Sequence, residues 1–208
     1  MNGISPPTAR NIGTKAPARI VVHPPRAGFS LIELLVVLSI TGVLLTIVVP
    51  RIDVSRFQLD AAIQEVTSTV AAARGQSVLR QHDFVLTFDE PEDRLYVLYD
   101  ANNNGETDEG EQRRTVQLSE SVKFARGGAP AISGMTDAIS FTKVSEELPA
   151  LTFHRNGSGS EEGILYLTSA RAIGTSTYPQ DARALRVVRS TGRVRCYSYR
   201  TLSWLEGC

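Results

Sequence analysis

The segment from Phe29 to Val49 runs for 21 residues with one charge, Glu33. At about 1.5 Å rise per residue, a helix of that length spans roughly 30 Å, the hydrocarbon thickness of a bilayer. Pro50 and Arg51 end the run. A carboxylate in lipid costs at least about 2.5 kcal/mol and needs a partner, and no residue of the run offers one. A secretory signal would have a shorter apolar core with a small-residue cleavage site behind it, whereas "IVVPRID" follows here. A plain anchor helix has no use for a carboxylate near one end. The chain before the run carries Lys15, Arg19 and Arg26 and no acidic residue, as the cytoplasmic flank of a membrane segment does. Those 28 residues are rich in Pro, Gly and small side chains, a composition expected to be disordered.

Behind the run the apolar period is helical. Leu59, Ile63, Val66, Val70 and Ala73 recur at steps of four and three, with Asp60, Gln64, Ser68 and Arg74 on the other side. The amphipathic pattern reaches about Arg80. It then changes to two, which predicts strands over 84–88, 94–99, 114–119, 122–124, 150–154, 163–168, 184–189 and 193–199. Stretches 126–138 and 154–163 are rich in Gly, Ser and Asn and read as loops. One long helix followed by short strands is an α+β chain, with the helix laid on an antiparallel sheet. The expected organisation is a leader over 1–28, a transmembrane helix over 29–49, its amphipathic continuation over 50–82, and a β-rich domain over 83–208. About 150 residues behind the membrane helix are enough for one domain with its own core.

The residues "G-FSLIELLVVLSITGVLLTIVVP" closely resemble the class III signal of type IV pilins and type II secretion pseudopilins, at Gly28, Phe29, Glu33, Gly42 and Pro50. The resemblance implies a prepilin peptidase that cuts after Gly28 on the cytoplasmic side and methylates the new amine of Phe29. It implies a retained helix in the inner membrane, a periplasmic domain, and assembly with other pilins or pseudopilins into a filament. It also gives Glu33 its partner, the N-terminal ammonium of a neighbouring subunit, since two buried opposite charges are tolerable when paired. Later residues narrow the match. "FHRNGSGSEEGILYLTS" followed by "LRVVRSTGRVRCYSY" looks like the GspH/FimT family, at Phe153, Gly157, Gly192, Arg193 and Arg195. That family includes the H-type pseudopilin of type II secretion and minor pilins of type IV pili, and some of the latter bind DNA. The basic hairpin and the tail with its cysteines tilt the reading slightly toward the pilus.

Net charge is zero but unevenly spread. Nine acids and one base, Arg94, lie between Asp89 and Glu111, while seven arginines against two acids lie between Arg171 and Cys208. Within the first stretch, "DANNNGETDEGE" fits the spacing of a calcium loop. Asp100, Asn102, Asn104, a carbonyl near Glu106, Asp108 and Glu111 would supply hard oxygen ligands for Ca²⁺, with Gly105 at the turn. Two features depart from that pattern: strands flank the loop where helices would, and Thr107 takes an apolar position. A polar turn with no metal is the competing reading. In the second stretch, a hairpin with Thr191-Gly192 at its tip would set Val188 opposite Arg195 and Arg186 opposite Tyr197. Leu185, Val187, Val194 and Cys196 then share a core face, and Arg186, Arg193, Arg195, Tyr197 and Tyr199 share the other. Arginines interleaved with aromatics suit a nucleic-acid backbone; a solvated or subunit-contacting face suits them equally.

Cys196 and Cys208 are the two cysteines. In an extracytoplasmic domain they read as a disulfide closing a short loop, worth about 2–3 kcal/mol. No catalytic constellation is apparent. His23, His82 and His154 stand apart in sequence, and Ser158 and Ser160 read as loop residues, so no enzyme is expected. The expected role is a minor pilin or pseudopilin. A module that binds DNA through the basic hairpin, with the membrane helix as carrier, is the second reading.

Overall fold

The structure, a computed structural model, describes residues 28–48 and 53–208, with side chains omitted over 46–48. The chain divides into two compact units, Met1–Arg51 and Ile52–Cys208.

The first unit contributes α1, Leu31–Val48. Its large apolar side chains are all exposed, from Phe29 and Leu31 to Leu45. The Ser39 and Thr41 hydroxyls donate to carbonyls one turn back, at 2.8 Å and 2.7 Å, so neither is left in search of water. The expected transmembrane run over 29–49 lies in part outside the described residues, as does Pro50. Among the described residues no helix is long and apolar enough to cross a membrane. The expected continuity of one helix from the run into its amphipathic continuation falls on residues 49–52, which lie outside the description.

The second unit opens with α2, Val54–Arg80, which has its own cap: the Asp53 side chain accepts from the Arg56 N–H. Its buried stripe is Leu59, Ala62, Ile63, Val66, Val70 and Ala73, the face that the spacing predicts. It ends where Gln81 turns left-handed. Ten strands follow: β1 Asp83–Asp89, β2 Arg94–Asp100, β3 Gln112–Gln117, β4 Val122–Phe124, β5 Val144–Ser145, β6 Leu148–Phe153, β7 Gly163–Ser169, β8 Ala182–Val188, β9 Arg193–Arg200 and β10 Ser203–Glu206. They form two five-stranded antiparallel sheets, ordered β3-β2-β1-β6-β5 and β10-β9-β8-β7-β4. One core joins α2 to the inner faces of both, through Phe84, Leu86, Phe88, Leu151, Phe153, Leu165, Leu167, Leu185 and Val187. The fold is α+β, as expected.

Two strands, β5 and β10, are absent from the sequence-based expectation. Each belongs to a hairpin with a two-residue turn, Glu146-Glu147 and Thr201-Leu202, in which all four residues have positive φ. Such turns ordinarily draw Asn and Gly, so the usual signal is missing.

The β8–β9 register also differs from expectation. Val188 pairs with Arg193, Arg186 with Arg195 and Ala184 with Tyr197. The tip is therefore four residues, 189–192, closed by the Gly192 N–H onto the Val188 carbonyl at 2.8 Å. A shift of two leaves every side chain on its predicted face. The outer face, however, is covered. Stretch 126–138 and the Trp204 side chain of β10 lie over this face, so Ile164, Tyr166 and Ala184 form a second small core with Ile132, Met135, Tyr197 and Trp204 against it. The Tyr166 hydroxyl accepts from the Ile132 N–H at 2.7 Å and donates to the Met135 carbonyl at 3.1 Å.

Candidate functional site

Gly28 and Phe29 precede α1 and belong to no regular element, and Phe29 is 85 % exposed. Glu33 sits in the first turn of α1, where a carboxylate is favoured by the free N–H groups of the helix end. Among the described residues it forms no ion pair. An apolar helix exposed along its described length needs cover, and the one charge near its start needs a partner in the same setting.

The acidic loop closes on itself. Asp100 is 1 % exposed; its two oxygens accept from the Asn104 N–H at 3.1 Å and the Gly105 N–H at 2.7 Å. The side-chain oxygens of Asn102 and Asn104 accept from the backbone two residues on. Their amide nitrogens donate to Asp108 at 2.6 Å and 2.7 Å. Glu111 accepts from the Ala101 and Asp108 N–H groups, and Glu106 stands exposed at the rim. Gly105, at φ +80, allows the turn. Among the described residues no three carboxylate, histidine or cysteine side chains gather to hold a metal. A calcium ion would have to displace the bonds that the two asparagine amides give Asp108 and those that Glu111 accepts from the backbone. The expected outcome is one melting temperature for the wild-type chain with millimolar Ca²⁺ or with chelator. A rise in calcium that Asp108→Asn removes would make the loop a metal site, since a ligand held by the native state alone raises stability by mass action.

The three arginines of the basic hairpin part company. Arg186 holds Glu162, Nη2 to Oε1 at 2.5 Å, and that carboxylate raises its pKa. Arg195 lies 3.6 Å from Glu206 on β10. Arg193 is exposed and has no ion pair among the described residues. Tyr199, at 6 % exposure, packs edge-on to Trp204, and Tyr197 lies against the outer core. Two of the three cations are thus neutralised, and Tyr199 is closed to stacking. The sequence hid this because the covering segment, 126–138, has no periodic signal.

Cys196 and Cys208 form a disulfide, with Cα atoms 5.7 Å apart. Cys196 faces the core side of β9, so the bond fastens the tail behind β10, helped by the Gly207 N–H on the Cys196 carbonyl.

Two clusters escape the sequence reading. Arg74 on α2 donates from Nε to the Gly157 carbonyl at 3.1 Å and the Thr191 carbonyl at 2.9 Å. It thereby ties the helix to both the 154–159 loop and the hairpin tip. A Cβ at Gly192 would stand 2.1 Å from the Gly157 oxygen, and one at Gly157 2.9 Å from Val78. At the other end of α2, Asp181 is fully buried. It accepts from Ser169 at 2.6 Å, Arg171 at 2.7 Å and Arg56 at 3.0 Å. Burial pushes its pKa up, but the bonds from Arg171, Ser169 and Arg56 outweigh that and hold it below the ordinary value. Asp53, the helix cap, takes a further bond from Arg171 at 2.8 Å and is also held low by it. Arg74 and Arg56 were unreadable as ties because their partners are carbonyls and carboxylates far along the chain.

Residues 24–49 match the prokaryotic N-terminal methylation motif, and residues 62–192 match the family described as type II transport protein GspH. The pilin-like protein PilA1 of Thermus thermophilus is 36 % identical over 89 residues, 42 % of this chain and 56 % of that protein. The chain therefore spans little more than half the length of that relative. The minor pseudopilin EpsH from the type 2 secretion system of Vibrio cholerae aligns in structure with a TM-score of 0.47 and 15 % identity, over 68 % of this chain and 97 % of that one. The type IV minor pilin FimU of Pseudomonas aeruginosa aligns at 0.45 and 14 %, over 72 % and 94 %.

Proposed function

Because this chain belongs to the type II transport protein GspH family, matched over residues 62–192, we propose that it is a minor pilin-like subunit of a type II secretion pseudopilus or a type IV pilus. In this reading prepilin peptidase cuts after Gly28 and methylates Phe29. The segment 29–49 holds the subunit in the inner membrane with its domain in the periplasm, and the subunit then passes into a filament. The N-terminal methylation motif over 24–49 supports the processing steps. The observation that carries the assembly step is Glu33: a single carboxylate on a helix whose described apolar side chains are all exposed. Lipid or neighbouring helices cover such a surface, but the charge needs a cation in the same apolar setting, and the methylated amine of an adjacent Phe29 is one.

The test is Glu33→Val. Removing a charge from lipid eases insertion by roughly 2.5 kcal/mol or more, so insertion and cleavage should persist while recovery in sheared filaments drops at least ten-fold. A variant that assembles at the wild-type level would remove the pairing role. Secretion genes or pilus genes beside this one divide the two kinds of filament.

A further inference from the structure

A groove of about 350 Å³ runs between α2 and β3. Its floor is apolar, made by Ala72, Phe84, Val97 and Tyr99, and its rim carries Arg80 and Arg114. β3 ends its sheet, and among the described residues no strand pairs with its outer edge. The backbone N–H and C=O groups on that edge are left to water or to another chain.

The charges of this rim are uncommitted. Arg80 is set in place by a bond from its Nε to Gln76 at 2.8 Å, and its guanidinium lies over the Tyr99 ring at 5.3 Å. Neither Arg80 nor Arg114 has a carboxylate within ion-pair distance among the described residues. The neighbouring Arg113 differs. It stacks on Tyr96 at 3.9 Å and pairs with Glu146 at 2.9 Å, so it is spent within the fold. Glu111, one residue before β3, is turned onto the Ala101 and Asp108 N–H groups and does not neutralise the rim.

We propose that this groove receives an extended acidic segment of a partner polypeptide, added as a further strand on β3. Three properties select that occupant over others. The free strand edge asks for a peptide backbone, which a small anion lacks. The two arginines ask for carboxylates opposite them. The apolar floor asks for an aliphatic side chain beside each carboxylate, two residues along the same face. A charged edge strand by itself would serve only to repel stray strands, but repulsion needs no apolar trough beside it. The chain's own acidic loop is not the occupant, since its Asp100, Asp108 and Glu111 are engaged within the loop and its Glu106 and Thr107 lie beside Ser145 and Glu146. The proposal concerns a surface of the second unit alone and stands whether or not the subunit enters a filament.

The probe is a labelled nonapeptide in which threonines alternate with glutamates and valines, added to the full chain in detergent micelles at low salt. Saturable binding is expected. Exchanging its glutamates for lysines should weaken binding at least ten-fold, as should methylating alternate backbone nitrogens. In the chain, Arg80→Glu with Arg114→Glu should weaken the acidic peptide at least ten-fold and admit the lysine peptide instead. That reversal separates a changed groove from a chain that has failed to fold. Equal binding of the acidic and lysine peptides, equal binding of the N-methylated peptide, or an unmoved affinity in the double variant would overturn the proposal. So would binding of a single-stranded oligonucleotide where the acidic peptide shows none.

Discussion

Asp181→Asn should lower the melting temperature of the domain by about 8 °C at neutral pH. The carboxylate is fully buried and receives three bonds, from Ser169, Arg171 and Arg56. Asparagine would turn its amide N–H₂ toward one of the two guanidinium groups and leave both with the partly exposed Asp53 as their remaining anion. Removing one member of a buried pair costs about 3–5 kcal/mol. Arg56 and Arg171 keep 43 % and 33 % of their side chains exposed, so water recovers part of the loss, and about 3 kcal/mol is the expected figure. At 2–4 °C per kcal/mol for a domain of this size, that is roughly the stated shift. The pH dependence has a definite sign. The folded pKa of Asp181 lies below its ordinary value, so its contribution is present in full above the unfolded value, about 3.9. It is lost as pH falls through the folded value. Asp53 is lowered too and adds to acid sensitivity in the same direction. The gap between wild type and Asp181→Asn should therefore narrow as the solution is acidified below about pH 4. A gap that stays constant to pH 2 would mean that the carboxylate's charge plays no part.

Gly192→Ala should cost about as much. The residue has φ +61, a conformation that strains any side chain by roughly 1 kcal/mol. Its Cβ would fall 2.1 Å from the Gly157 oxygen and 2.9 Å from the Arg74 Nε. A backbone oxygen cannot rotate away, so the hairpin tip must move and Arg74 must give up an acceptor. About 3 kcal/mol is expected for a clash of this kind. Arg74→Ala alone should cost about 2 kcal/mol, since hydrogen bonds to a charged group carry about 1.5 kcal/mol or more each and only part is recovered from water. The two losses should not add. Once the tip has moved, little remains for Arg74 to hold, so a double-mutant cycle by urea unfolding should give a coupling above about 1 kcal/mol. Simple additivity would mean that Arg74 does not work through the tip.

The elements that the sequence discloses are those governed by local period. The α2 stripe Leu59, Ile63, Val66, Val70 and Ala73 is buried as spaced, and eight strands form at or near the predicted bounds. What stays hidden depends on partners distant in sequence. The β8–β9 tip has four residues rather than two because Gly192 must pass beside Gly157, a contact across 35 positions that no local pattern records. The β5–β6 and β9–β10 turns place Glu146, Glu147, Thr201 and Leu202 at positive φ without the Asn or Gly that would announce them. The aromatic and basic outer face of β8 and β9 read as a surface because alternation does show which side chains point outward. It cannot show that Ile132, Met135 and Trp204 then cover them. For the candidate sites the division is similar. Gly28, Phe29 and Glu33 are legible because a short linear motif holds the whole chemistry. The Asp181 cluster and the groove at Arg80 and Arg114 assemble from separate elements and were not.

The N-terminus of the chain recovered from membranes and sheared filaments is the most direct test of its role. Intact-mass and N-terminal peptide measurements should find a polypeptide beginning at Phe29 with one added methyl group on the amine, and a Gly28→Trp variant should accumulate at full precursor mass outside the filament. An assembled fraction that begins at Met1 and carries no methyl group would contradict the assignment of this chain as a processed pilin-like subunit.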